Sequence, residues 1–507
     1  MGRKIEIMDT TLRDGEQTSG VSFTDQEKLK IARLLLEELK VDRIEIASAH
    51  VSEGEFTAVK KIMDWAKEKG FIDRIEILGF VDGDRSLNWM RDTGAKVLNL
   101  LTKGSERHCI QQLRKTKEEH LADILDVLAR AEKLGIRSNV YLEDWSNGMR
   151  TSPEYVYFIL AGLSKAAVHR VLLPDTLGIL NPDETFTYCA DVQQRFPNLS
   201  FDFHAHNDYD LATANVMAAV KAGVAGIHVT LNGLGERAGN VSLSSVVGVL
   251  KDHLHCEVSV DEKKLYSVSK LVETYSGVRI PTNKPIIGEF VFTQTSGIHA
   301  DGDQKGNLYH NDLSPERFNR KHSYALGKMA GKSSIRKNLE ELGIELDQES
   351  MRLVTKAVNE LGDRKEVVTQ EDLPYIIADV LDKQTLTQRV RIKNYALSVA
   401  AGLRSVATLS IEIDGKTYER TADGDGQYDA FMSALRQIYQ SLGKNLPRLT
   451  DYVVTIPPGG KTDALCQTAI TWQQDEGRPF KTSGLDSDQA IAAIKATIKM
   501  LNLIENQ

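Results

Sequence analysis

Residues 5–17, IEIMDTTLRDGEQ, open as a short apolar run and end in acids, threonines, an arginine and a glycine. A β-run that carries so much charge at its tip ends either in a solvated loop or on the floor of a functional site. The same unit, a β-rich run followed by helix-period text, recurs up to about residue 285. Its strands are read at Ile5–Asp9, Arg43–Ala47, Ile75–Phe80, Val97–Leu101, Arg137–Glu143, Arg170–Asp175, Phe201–His206 and Gly226–Leu231. Between them lie segments with helical spacing of apolar residues, such as Asp25–Leu39 and His120–Leu134. Eight β-runs each followed by a helix predict an α/β fold, a closed (β/α)8 or TIM barrel, in preference to a doubly wound sheet. Functional groups of such a barrel gather at the C-terminal ends of its strands, and the charged tip of residues 5–17 is one of those ends.

The chain has 507 residues, enough for about three domains. Its 41% hydrophobic and 26% charged content is that of an ordinary globular protein. A formal net charge of -8 argues against a nucleic-acid partner, which favours a basic face. No apolar run approaches the ~20 residues that span a bilayer, so no membrane partner is expected. Glu6 and Asp9 break any signal-type apolar segment, and Glu6 stands where a myristoylation signal wants Ser or Thr. Cys109, Cys189, Cys256 and Cys466 lie far apart, a pattern of free thiols in a reducing cytoplasm.

Three domains are read: a barrel over 1–285, a linker with small helical subdomains over 286–390, and a C-terminal domain over 391–507. The linker begins with the polar text TSGIHADGDQKGNLYHND (295–312) and turns helical, most clearly in KNLEELGIELDQESMRLVTKAVNEL (337–361). In the last domain TLSIEI (408–413) leads to GDGQYDAFMSAL (424–435), and TAITWQ (468–473) leads to GLDSDQAIAAIKA (484–496). Each copy reads as two strands, an acidic helix cap and an amphipathic helix, a duplicated α/β (α+β) module. Appended to a barrel, it suggests a ligand-sensing domain. Gly459 and Gly460, after a Pro-Pro pair, mark a turn or flexible loop inside it.

The other strand ends repeat the chemistry of the first. Strand five ends in Tyr141-Leu142-Glu143, strand six in Pro174-Asp175-Thr176 and strand seven in HAHND (204–208), and NGLGERAGN (232–240) follows strand eight. His204 and His206, two apart on a strand, point to one face, with Phe201 and Phe203 on the alternate one. At a barrel mouth that pair reads as metal ligands more readily than as core histidines, and Asp14 can supply a hard third ligand. Such N/O donors suit Zn, Mn, Co or Mg. Gly233-x-Gly235 lacks the third glycine and the first-strand position of a dinucleotide site. Asp301-Gly302-Asp303 and Asp423-Gly424-Asp425-Gly426 lack the spacing and terminal Glu of a calcium loop.

DTTLRDGEQ (9–17), HAHND, NGLGERAGN and TQTSGIHADG (293–302) together resemble the α-isopropylmalate synthase family, which covers homocitrate, isopropylmalate and citramalate synthases. The resemblance spans essentially the whole chain. It implies a Claisen-type condensation of acetyl-CoA with a 2-oxo acid, followed by thioester hydrolysis. It implies a divalent metal on Asp14, His204 and His206 with Asn240 nearby, Arg13 facing the oxo oxygen, and Thr176 on the substrate carboxylate. His299 is implied as the base, supported by Glu143, with Tyr309 also implicated. Because His299 lies in the linker, a homodimer in which the linker completes the partner's site is expected. The C-terminal module looks like the family's leucine- or isoleucine-sensing domain. No residue contacting CoA is indicated.

Leu78, Leu101 and Tyr141 are expected to meet the alkyl group of the acceptor, with Leu308 and Tyr309 closing the pocket. A small apolar pocket suits the methyl of pyruvate, and IEILGFVDGD (75–84), KVLNLLTKGS (96–105) and NVYLEDWSNG (139–148) look like the citramalate synthase branch. Isoleucine is the effector expected for that branch. The alternative within the family is a 2-isopropylmalate synthase that uses 3-methyl-2-oxobutanoate and responds to leucine. A hydroxymethylglutaryl-type lyase would lack the repeated module and need a cysteine near the mouth. A biotin-dependent carboxyltransferase would need a modified lysine at a strand end. A non-catalytic amino-acid sensor would not need Arg13, Asp14, the histidine pair and Glu143 together.

Overall fold

The computed structural model describes residues 2–295, 308, 311–342, 344–363, 368–381, 389–456, 466–474 and 479–506. The chain folds as two compact units, one of Met1–Phe292 with Asn311–Lys321 and the other of Thr293–His310 with His322–Gln507.

In the first unit eight parallel strands close into a barrel in sequence order. They are β1 (Glu6–Asp9), β2 (Arg43–Ser48), β3 (Ile75–Phe80), β4 (Val97–Lys103), β5 (Arg137–Glu143), β6 (Arg170–Asp175), β7 (Phe201–Ala205) and β8 (Gly226–Val229). Closure is made by β1, whose Met8 pairs with His228 of β8 and Arg43 of β2. The expected barrel is the fold that forms. Its cause is a period of two along each strand. Ile44, Ile46, Ile75, Ile77, Val171, Leu173, Phe201, Phe203, Ile227 and Val229 join the apolar faces of the helices in one buried core. The intervening positions are inside the barrel, and many of them are polar.

Several helices start where a side chain can satisfy their first amides. Thr24 with Glu27, Thr116 with Glu119 and Asn181 with Glu184 form reciprocal caps for Asp25–Arg33, Lys117–Lys133 and Pro182–Arg195. Each cap is worth about 1 kcal/mol. The helix expected at Asp25–Leu39 is α-helical to Arg33 and continues as a wider π turn over Leu34–Glu38. The helix expected from His120 begins at Lys117, because Thr116 caps it there. Beyond the barrel, Asn311–Lys321 packs with this unit through Arg317, which pairs with Asp252 at 2.7 Å and with Glu262 at 2.5 Å.

The second unit contains the helices Lys332–Glu341, Gln348–Asp363 and Leu373–Leu381 around Ile335, Leu339, Val354, Val358 and Ile377. Two antiparallel three-stranded sheets follow, each leading into a helix. Val390–Ser398, Ser405–Ile413 and Lys416–Gly424 precede Gln427–Ser441, and Arg448–Thr455, Cys466–Gln473 and Phe480–Asp486 precede Gln489–Glu505. Leu409, Ile411, Phe431 and Leu435 of the first copy share a core with Ile470, Trp472, Ile494 and Met500 of the second. The duplication is therefore present, with three strands per copy where two were expected. The extra strands, Val390–Ser398 and Arg448–Thr455, expose many of their residues, and in each a register shift breaks the apolar alternation that would announce it. Asp488 caps the second helix, whereas the first opens at Gly426 without a side-chain cap.

Gly459 and Gly460 lie outside the described residues. The four cysteines are free. Among the described residues no helix is long and apolar enough to cross a membrane.

Candidate active site

The charged tip of β1 is a tight turn. The Thr10 carbonyl accepts the amide protons of Arg13, Asp14 and Gly15 at 3.1, 2.8 and 3.1 Å. Asp9 accepts from the Thr11 amide at 2.9 Å, and the Thr11 hydroxyl accepts from the Leu231 amide at 2.8 Å, tying the turn to the loop after β8. Glu16 accepts from the Phe23 amide and pairs with Lys28 at 2.6 Å.

This turn brings Asp14 to the histidines of β7. Asp14 Oδ2 lies 3.1 Å from His204 Nε2 and 3.8 Å from His206 Nε2, and the two Nε2 atoms are 3.3 Å apart. Two donors bound at about 2.1 Å to one cation stand roughly 3.0–3.4 Å from each other, close to these separations. Asp14 Oδ2 and both Nδ1 atoms are buried without a hydrogen-bond partner among the described residues. A carboxylate oxygen and two imidazole nitrogens converging on one point fit a divalent cation of the N/O-preferring kind. Burial opposes ionisation of Asp14, but the Arg13 guanidinium and the two imidazoles outweigh it and hold the carboxyl well below the usual carboxylate range. Burial, reinforced by His204, pushes His206 down to about 4, so its ring is neutral and able to ligate.

Asn240 pairs with His206 in a one-residue bridge, and its side-chain amide donates to the Leu234 carbonyl at 3.2 Å. Gly235 holds it there: φ is +149°, and a Cβ on Gly235 would stand 2.3 Å from Asn240 Nδ2. The sequence reading carried β7 through His206; the strand ends at Ala205, and His206 joins the bridge instead.

Arg13 is fixed from three sides. Its Nε donates to Glu45 Oε2 at 2.6 Å, its Nη1 is 3.3 Å from Asp14 Oδ1, and its Nη2 donates to the Tyr141 hydroxyl at 3.4 Å. The Tyr141 ring stands edge-on to His204. It also packs with Leu78 and Leu172 in a small buried apolar cluster bordered by Leu101. Leu172, from β6, was not read from the sequence, where it looked like one more residue of an apolar run. Thr176 Oγ1 accepts from the Asp144 amide at 2.9 Å, and Glu143 is paired with Lys103. His299 and Tyr309 lie outside the described residues; Leu308 is exposed.

Sequence reasoning also missed a polar network that fills the barrel beneath these groups. Glu45 accepts from Thr10 Oγ1 and from Asn99 at 2.8 Å each, and Asn99 accepts from Asn139 at 2.8 Å. Asn139 donates to Glu76 at 3.3 Å, and Arg43 bridges Glu76 and Asp202. Arg170 joins Asp202 to Glu6 at 2.8 and 2.6 Å. His228 closes the chain, 3.4 Å from Asp202 and 3.0 Å from the Tyr141 hydroxyl. Burial disfavours the Asp202 carboxylate, yet Arg43, His228 and Arg170 hold it well below its ordinary range. The signal was present: RIEI (43–46), FDFH (201–204) and GIHV (226–229) place polar residues at alternate positions of strands otherwise expected to be continuously apolar.

Three family models match the chain in succession. They are HMGL-like over residues 4–272, homocitrate synthase post-HMGL domain-like over 286–366, and LeuA allosteric (dimerisation) domain over 367–505. A protein of Methanopyrus kandleri provisionally named (R)-citramalate synthase is 35% identical over 503 residues, covering 98% of this chain and 96% of that one. Another from the same organism, provisionally named 2-isopropylmalate synthase, is also 35% identical over 503 residues, with 99% and 98% covered. The 2-isopropylmalate synthase of Methanocaldococcus jannaschii is 32% identical over 508 residues, with 99% and 95% covered. Among solved structures, the HMG-CoA lyase of Bacillus subtilis aligns with a TM-score of 0.49 at 23% identity, over 55% of this chain and 96% of that one.

Proposed function

Because the chain belongs to the enzyme family that joins an HMGL-like barrel to a LeuA allosteric (dimerisation) domain, we propose that it condenses acetyl-CoA with pyruvate to give (R)-citramalate and CoA. A base removes a proton from the acetyl methyl group, and the resulting carbon nucleophile adds to the ketone carbon of pyruvate. The ketone oxygen takes a proton, and water then cleaves the thioester to release CoA and the second carboxylate.

A divalent cation (Zn, Mn, Co or Mg) held by Asp14, His204 and His206, with Asn240 beside them, would supply Lewis-acid polarisation of the ketone. Arg13 offsets negative charge on the oxo oxygen, and its three fixed partners keep it aimed without reorganisation during the step. Thr176 binds the acceptor carboxylate. His299 serves as the base, with Glu143 and Tyr309 supporting it, and the linker that carries it completes the site of a partner subunit in a homodimer. The C-terminal domain senses isoleucine, a reading that its likeness to an allosteric domain supports.

One observation carries the choice of acceptor: Leu78, Tyr141 and Leu172, bordered by Leu101, form a compact apolar cluster next to Arg13 and His204. A methyl group fits such a wall, whereas each added methylene changes binding by about 1–3 kcal/mol in an apolar pocket. CoA release measured with pyruvate and with 3-methyl-2-oxobutanoate tests the assignment. Pyruvate is expected to give the higher kcat/KM, and preference for the branched acid would identify a 2-isopropylmalate synthase instead.

A further inference from the structure

His228 lies at the centre of β8 with no exposure to solvent and makes two contacts of opposite kind. Its Nε2 is 3.4 Å from Asp202 Oδ2, and its Nδ1 is 3.0 Å from the Tyr141 hydroxyl. Tyr141 in turn takes Arg13 Nη2 at 3.4 Å. The two ends of this chain fix its direction. A guanidinium can only donate, and a carboxylate can only accept. Asp202 is kept ionised by Arg43 and Arg170, whose guanidinium groups both reach it. Its neighbour His228 must then carry the proton on Nε2, which leaves Nδ1 bare to accept the Tyr141 proton. The tyrosine oxygen is left to accept from Arg13. Read in order, Arg13 donates to Tyr141, Tyr141 to His228 and His228 to Asp202, and no other arrangement satisfies every member.

From this geometry we propose that His228 is a positioning residue for acceptor recognition: by locking the Tyr141 hydroxyl it sets the wall of the oxo-acid pocket and the aim of Arg13. The proposal rests on the acceptor pocket described above and deepens it. The Tyr141 ring is held between His204 and His228, edge-on to both at 5.9 and 5.6 Å, while its opposite surroundings are Leu78 and Leu172. Those leucines resist translation of the ring but supply no hydrogen bond that fixes its hydroxyl. His228 connects the hydroxyl directly to Asp202, which is gripped by two arginines at the bottom of the barrel, while Arg13 joins it to Glu45 nearer the mouth. A barrel-bottom ion pair thereby determines which substrate is accepted at the mouth.

Two measurements test this, one of them independent of turnover. Histidine-selective 15N spectra, with the His228 signals identified by their loss in His228→Gln, are expected to show a ring protonated on Nε2 and bare on Nδ1. A proton on Nδ1 overturns the proposal. The second measurement is the ratio of kcat/KM between the preferred and the less preferred of pyruvate and 3-methyl-2-oxobutanoate. His228→Asn keeps an acceptor at the place of Nδ1, whereas His228→Gln keeps only a donor at the place of Nε2.

The ratio is expected to fall roughly tenfold in His228→Gln and in Tyr141→Phe, and no further in the double variant. It is expected to stay within about twofold of the parent in His228→Asn. An unchanged ratio in His228→Gln, multiplicative losses in the double variant, or equal losses in the Asn and Gln variants would each overturn the proposal. If the parent prefers the branched acid, the assignment of pyruvate fails, but the coupling between His228 and Tyr141 is still read from the same ratio.

Discussion

Asp9 closes β1 with no solvent exposure, one oxygen taken by the Thr11 amide and the other without a partner among the described residues. Burial lifts its pKa from 3.8 to about 7, against the pull of the Thr11 hydrogen bonds. The folded state therefore binds a proton that the unfolded chain releases, and stability falls as pH rises from about 4 to about 7, then levels off. At about 1.4 kcal/mol per tenfold change in a protonation constant, the full displacement is roughly 4 kcal/mol. Only part of it is felt at pH 5, on the order of 1.5 kcal/mol, because pH 5 lies only about one unit above the unfolded carboxyl's pKa and the loss accumulates until the folded one ionises. Asp9→Asn keeps an oxygen for the Thr11 amide and removes the titration. The variant should gain on the parent by about 2–3 kcal/mol between pH 5 and pH 8, every other titrating group being common to both. Urea unfolding of metal-free protein, followed by tryptophan fluorescence, reads the difference, since Trp65, Trp89 and Trp145 all lie in the barrel unit. A gap between variant and parent that does not change with pH would refute the buried-carboxyl account.

Leu78→Ala should destabilise the barrel by about 2–3 kcal/mol and shift kcat/KM toward 3-methyl-2-oxobutanoate, both measurable on one preparation by thermal unfolding and CoA release. Treatment with a chelator should stop CoA release, Mn or Zn should restore it, and Asp14→Asn should bind less than a tenth of the parent's metal by elemental analysis. A chain ended before Val390 should lose its inhibition by isoleucine, with turnover compared at saturating substrates in the presence and absence of the amino acid.

The sequence made the barrel legible because its outward positions are so regular. Val171 and Leu173, Phe201 and Phe203, and Ile227 and Val229 repeat the same spacing, and burying them against helices leaves few alternatives. Asp14, His204 and His206 were legible for a related reason: polar groups at a strand's C-terminal end have only the mouth to face. The extra strands Val390–Ser398 and Arg448–Thr455 were not legible, since a register shift in each moves the apolar alternation by one residue and hides its period of two. Leu172 was hidden by chemistry of the opposite kind. In RVLLPD it is one leucine among several apolar neighbours, and only the closed barrel separates it, facing Tyr141, from Val171 and Leu173 facing the helices.

The polar interior favours a cation at the mouth. Buried charges persist only when paired, and the barrel network can be followed pair by pair. Arg13 faces Asp14 and Glu45; Arg43 faces Glu6, Glu76 and Asp202; Arg170 faces Glu6 and Asp202. Among the described residues five carboxylates thus share three guanidinium groups, a surplus of two negative charges in one connected cluster. Only Glu6, at the N-terminal end of β1, has appreciable access to water. Of the carboxylates near the mouth, Glu45 is fully occupied by Thr10, Arg13 and Asn99, whereas Asp14 keeps an oxygen without a hydrogen bond among the described residues. The surplus is therefore exposed to attack by a cation at Asp14, beside the two Nε2 atoms that converge on it. A divalent ion there would neutralise the cluster as a whole, so the same charges that hold the barrel interior together also set the affinity of its mouth.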